Sequence, residues 1–157
     1  MRTTTVTTGR RILLALEPGD EVIESIAAAC RQHDVRQGVI VTFSGAFRTA
    51  RVIAADHRAP DPELPLTASV TAEYTEGVGS GTVTSDESGA HSVHIHVALG
   101  AKDRSGQAVA GHLLAAVTHY VTEVVVDEVL APSLQRHPHP SSSTVPILTF
   151  AEEGASR

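Results

Sequence analysis

The chain has one cysteine (Cys30), one methionine, no tryptophan, and one lysine (Lys102) among its twelve basic residues. A single cysteine excludes an internal disulfide and fits a reducing compartment. No apolar run reaches the roughly 18–20 residues that span a bilayer, so no membrane association is expected. The opening MRTTTVTTGRR lacks the apolar segment of a secretory signal, and a cytoplasmic location is expected. Basic clusters are missing too. Eleven arginines are scattered along a chain of net charge −6, whereas proteins that grip nucleic-acid phosphates carry a basic stripe. Specific DNA binding is therefore not expected.

What is present suits one globular domain: 157 residues, 41% of them hydrophobic, enough to enclose a core. Arg10–Leu16 reads as a first strand, closed by Glu17, Pro18 and Gly19. Asp20 is the expected N-cap of the one principal helix, with Glu21 and Glu24 where the helix dipole favours anions. Val22, Ile23, Ile26, Ala27 and Cys30 give it one apolar stripe running to about His33. Expected strands follow at 38–43, 48–55, 67–75, 79–84, 92–99, 108–114 and 120–130, with the proline-rich stretch 59–65 as a loop. In Val121–Leu130 apolar residues fall on both faces, which implies cover on both sides, from a central sheet position or a neighbouring subunit. Residues 132–157 form a Pro/Ser-rich segment after a domain at 1–131. It is expected to be a solvated loop carrying His137 and His139, with a short edge strand near Ile147–Phe150. The fold class is α+β: mostly antiparallel sheet with one principal α-helix.

Three of the nine histidines stand out. His94 and His96 are two apart on an expected strand, hence on one face with Cα atoms roughly 6.6 Å apart. The polar turn that follows contains Lys102, Asp103, Arg104, Ser105 and Gly106. A hairpin folded about Asp103 or Arg104 places His112 opposite His94 or His96, and directly opposed residues share a face. By the same parity His91 points away. Three neutral imidazoles form a standard ligand set for zinc or a similar divalent metal, leaving a position for water or substrate.

The run HIHVALGAKDRSGQAVAGHLL resembles the signature of the PPC (plants and prokaryotes conserved) domain, in which His-x-His is followed by Gly-Gly-His-Leu. Ala110 stands here for the first glycine of that pair. The resemblance extends from about Arg10 to Leu130. It takes in the Pro18-Gly19-Asp20 helix start, Phe43-Ser44-Gly45-Ala46 at the family's small-residue turn, and a valine-rich strand carrying Glu123. It implies an α+β fold, a homotrimer, and a metal held by His94, His96 and His112. Plant members attach DNA-binding AT-hooks, but no Arg-Gly-Arg-Pro hook occurs here. The PPC fold is similar to that of acetolactate decarboxylase, a zinc enzyme with a His-x-His and a later histidine among its ligands. That likeness concerns fold and ligand type and names no substrate.

Other constellations are weaker. The alternating glycines of GVGSG (77–81) precede strand and turn residues, whereas a phosphate cradle needs a helix start. Ser44-Gly45 lacks a nucleophile elbow and reads as a tight turn, and Cys30 reads as core. Glu73 and Glu123 are candidate proton carriers, and Arg48 is a candidate anchor for an anionic group. Two functions follow. One is a metal-dependent small-molecule enzyme of lyase or hydrolase type using Glu73, Glu123 and Arg48. The alternative is a non-catalytic, DNA-associated or regulatory binding protein.

Overall fold

The computed structural model describes residues 1–55, 58–59, 61–104, 107–142 and 145–150. Ser105 and Gly106 of the expected turn, Pro60, and residues 143, 144 and 151–157 of the C-terminal segment lie outside the described residues. The elements are β1 (Thr7–Leu16), α1 (Val22–Gln32), β2 (Gly38–Ile53), β3 (Ser69–Ser85), β4 (His91–Ala101), β5 (Ala108–Ala131), β6 (Leu134–Pro138), a 3₁₀ turn at Pro140–Ser142 and β7 (Pro146–Phe150). Five strands form one antiparallel sheet in the order β1-β5-β2-β3-β4, and β4 also pairs with β5. That last pairing closes β2, β3, β4 and β5 into a ring, with β1 attached outside it.

α1 forms because Val22, Ile26, Ala27 and Cys30 line one buried stripe. It packs over the sheet against Leu14, Leu16, Val124 and Val126. Its N-cap is Glu21, whose carboxylate accepts from the Glu24 amide at 2.7 Å, and not Asp20 as expected. Asp20 is engaged one step earlier, where Oδ2 accepts from the Glu17 amide and closes the turn made by Gly19 in the left-handed region. Cys30 is buried as expected, and burial pushes its thiol up to about 11, which leaves it inert as a nucleophile.

Several expected strands are halves of longer ones. Residues 38–43 and 48–55 belong to β2, so Ser44-Gly45 is strand and not a tight turn. The chain absorbs its bend there through register shifts against β3 and β5, as bulges do. Residues 108–114 and 120–130 likewise merge into β5, which runs for 24 residues. GVGSG lies within β3 and opens no helix. A Cβ on Gly81 would sit 1.9 Å from the His94 carbonyl oxygen, so the missing side chain is what lets β3 approach β4 so closely.

The C-terminal segment also departs from the expected loop. β6 and β7 form a two-stranded sheet, Leu134 pairing with Phe150 and Pro138 with Pro146. The prolines bound the ladder and do not interrupt it, which is where a residue without an amide donor is tolerated. Buried Gln37 secures the approach to this hairpin. Its Nε2 donates to the Val129 and Pro132 carbonyls, and its Oε1 accepts from the Leu134 amide at 2.7 Å. Gln37→Ala strands three backbone groups at that junction. A net loss of about 2–3 kcal/mol is expected, to be read as a lowered urea midpoint.

Candidate metal centre

On β4, Ile95, Val97 and Leu99 are buried in the core, so alternation turns His94 and His96 to the opposite face. β5 brings His112 directly opposite His96, a register centred on Arg104 as expected. Gly111 matters to the packing of β5 on its other side, against β2: a Cβ there would lie 2.2 Å from the Ile53 carbonyl oxygen. The three rings cluster with centroids 4.7 Å apart for His94–His112, 5.1 Å for His94–His96 and 5.5 Å for His96–His112. One ligand nitrogen from each lies within 4.8 Å of the others. Four-coordinate zinc, with Zn–N near 2.0–2.1 Å, needs about 3.4 Å between nitrogens, an adjustment within side-chain rotation.

The rings fit a metal electronically as well. Burial, then the positive charge of Arg136, then the neighbouring histidines lower the His94 pKa to about 4. His112 is lowered by burial, by His96 and by Arg136. Neutral imidazole is the form that binds a metal. His112 Nδ1 is buried with no hydrogen-bond partner, a donor atom with nothing to engage. His91 is not part of the cluster: it borders the same cavity, but its Nε2 donates to the Val35 carbonyl at 2.7 Å.

The rings open into a cavity of about 1140 Å³. One side is the β3–β4 turn, where Asp86 Oδ1 accepts from the Ser88 amide, the Ser88 hydroxyl and the Ala90 amide. Another is the β6–β7 hairpin, through Gln135, Arg136, His137, Val145 and Pro146. Sequence reasoning missed Arg136, because nothing in a Pro/Ser-rich stretch marks one residue as turned inward.

Glu73, Glu123 and Arg48 do not line this cavity within the chain. All three are exposed. Glu73 pairs with Thr49 across β2–β3 and borders a separate hollow with Tyr74, Lys102, Asp103, His119 and Tyr120. Glu123 stands between Ala15 and Ser44 in the sheet, and Arg48 sits at the β2 irregularity between Phe47 and Thr49.

A closed antiparallel ring with one covering helix and three histidines on the outer side of a hairpin defines a small α+β protein with a candidate metal centre. The chain belongs to the Plants and Prokaryotes Conserved (PCC) domain family, whose sequence profile matches residues 3–130. It is similar to a plant- and prokaryote-conserved protein from Pyrococcus horikoshii, at 20% identity and TM-score 0.73 over 94% of this chain and 97% of that one. It is also similar to a metal-containing protein from Archaeoglobus fulgidus, at 22% identity and TM-score 0.71 over 97% of this chain and 100% of that one. A candidate DNA-binding protein from Bacteroides thetaiotaomicron aligns at 20% identity and TM-score 0.70, over 94% of this chain and 99% of that one. At these identities the likeness establishes the fold alone. A weaker likeness, to alpha-acetolactate decarboxylase from Bacillus subtilis, has TM-score 0.49 and 12% identity over 74% of this chain and 52% of that one. It carries no functional argument. No curated protein matches the chain. Among the described residues no helix is long and apolar enough to cross a membrane.

The lowered histidine pKa values set a pH dependence for the metal-free protein. In the unfolded chain these imidazoles titrate near the ordinary ~6.5, so below that pH the unfolded state binds their protons first. Stability then falls as pH drops from about 6.5 towards about 4, the value for His94, and levels off below it. Urea midpoints of wild type should fall more steeply across this window than those of His94→Gln, which has no such proton to bind. Equal slopes would show that His94 is not shifted.

Proposed function

We propose that His94, His96 and His112 bind one divalent ion, zinc by their ligand chemistry, and that the protein is a metal-dependent small-molecule enzyme of lyase or hydrolase type. The observation that carries this reading is the convergence of three ligand nitrogens within 4.8 Å on a cavity of about 1140 Å³. The Archaeoglobus relative named as metal-containing supports it. A metal held there by three neutral imidazoles would supply Lewis acidity towards a carbonyl or a bound water. The chain's own part is to bring the three rings together through the β4–β5 register and, by burial, to favour the neutral form of His94 and His112. Structural zinc sites with four ligands are worth about 10–16 kcal/mol, so one ligand accounts for about 3 kcal/mol, or roughly a hundredfold in affinity. His112→Ala should therefore weaken zinc binding about a hundredfold in a competition titration, while His91→Ala changes it little. Wild-type protein that shows no saturable one-to-one zinc binding would reduce the site to a polar sheet face.

The proposal extends to assembly. The outer face of the sheet carries Leu13, 72% exposed, with Val39 and Val121 also exposed. Leu13 stands directly opposite Val125, so this apolar face is continuous across β1 and β5. Cover of this face by neighbouring copies, three chains in all, makes the homotrimer implied by the family resemblance. In such an assembly Glu73, Glu123 or Arg48 could reach a neighbouring centre as proton carrier or anion anchor, which one chain does not allow. Light scattering coupled to size exclusion should give three times the chain mass at micromolar concentration. A monomer would count against both the assembly and those residue roles. The DNA-associated reading draws on the Bacteroides relative, but the scattered basic residues and net charge of −6 lend it no counterion-release term.

A further inference from the structure

Among the described residues, Arg136 is the one arginine or lysine of the β6–β7 hairpin that lines the histidine cavity. It lies beyond residue 130, where the family match ends. Its Nη2 donates to the Thr82 hydroxyl at 2.9 Å, and Thr82 is the residue directly opposite His94 on β3. The guanidinium is thereby tethered over the strand beside the cluster. Its other hydrogen bond, from Nη1 to the Pro146 carbonyl, is long at 3.4 Å. Its Nε is buried with no partner, and among the described residues no carboxylate forms an ion pair with it. Asp86 and Glu87 also line the cavity, but Asp86 is committed to Ser88 and Ala90.

A half-buried cation with no counter-ion is costly unless something anionic joins it. The neighbouring cluster sharpens the point. Three neutral imidazoles cancel none of a divalent ion's charge, so an ion there together with Arg136 would present three positive charges to the cavity. Electrostatics in such a site must count the ion itself. The remaining walls are largely apolar, with Ile53, Pro65, Leu66, Val93, Val145 and Pro146 among them.

We infer that Arg136 makes this cavity a receptor for a carboxylate ligand with an apolar body, the carboxylate lying between Arg136 and the histidine cluster. Carboxylate is favoured over phosphate because one guanidinium with two of its donors already engaged suits a singly charged planar head group, and because the apolar walls need an apolar body to cover. The inference rests on the metal-centre reading for its full strength, yet the tethered Arg136 acts on an anion without a metal.

The test is calorimetric titration of the full chain, zinc-loaded and metal-free, with hexanoate, hexanamide and inorganic phosphate as probes. Hexanoate should bind the zinc-loaded protein one-to-one, and hexanamide at least about tenfold more weakly, since a charge-assisted bond is lost. Arg136→Gln should weaken hexanoate about tenfold or more in both forms, while zinc affinity stays the same or rises as a repelling charge is removed. Thr82→Val, which unties Arg136 without removing its charge, should give a smaller loss and serves if the glutamine variant does not fold. Hexanoate affinity unaffected by Arg136→Gln, equal binding of hexanamide, tighter binding of phosphate, or no hexanoate binding would overturn the inference. Failure of zinc to bind would sink the metal-centre reading instead, and the metal-free titrations would still decide the role of Arg136.

Discussion

The placement of β5 governs the rest of the molecule. This 24-residue strand pairs with β4 at its start, with β2 along most of its length, and with β1 at its end. Its pairing with β4 closes the ring and fixes His112 opposite His96. Its far end holds Val124 and Val126 against α1 and the core. A slip of one residue against β4 would turn His112 inward and Leu113 outward at once, so hydrophobic burial and the candidate centre enforce the same register. The core thus holds the histidines in place without touching them.

Much of this was legible in the chain. The helix follows from the spacing of Val22, Ile26 and Cys30, and the hairpin register from His94, His96 and His112 with a polar turn between them. Both are local patterns, and local patterns are what periodicity reports. Strand continuity was not legible, because Ser44-Gly45 carries the composition of a turn and only the pairing partners on either side show that the strand continues through its bulges. The N-cap was off by one for a similar reason: Asp20 and Glu21 are both suitable acceptors, and the turn at Gly19 decides which is free. The histidine trio could be read, but Arg136 could not. Its role depends on a hairpin whose two strands, among the described residues, pair with each other alone and whose approach is pinned by Gln37, almost a hundred positions earlier in sequence.

The electrostatics of the cavity follow from two opposed choices. His94 and His112 are partly buried and close to a cation, which lowers their pKa values and favours the neutral ring. Arg136 is partly buried and lacks a carboxylate, which keeps its charge uncompensated. At the β1–β5 edge, in contrast, arginines are paired: Arg10 donates to Glu128 through Nε and Nη2, holding that carboxyl at about 2, and Arg11 donates to Asp127, lowering that carboxyl as well. The contrast with Arg136 is one of burial without a carboxylate: its charge is set in the cavity wall and left uncompensated by the described residues.

The three histidines all fall between residues 94 and 112, on two strands joined by a single turn. Closing so short a loop costs little chain entropy, and a hairpin forms within about 1–10 μs. The β1–β5 pairing, in contrast, joins Leu16 to Thr122 and must wait for more than a hundred residues to be gathered. A chelate built on the hairpin can therefore assemble while the rest of the chain is still open. A metal captured at that stage would staple β4 to β5 in the register that the later strands need.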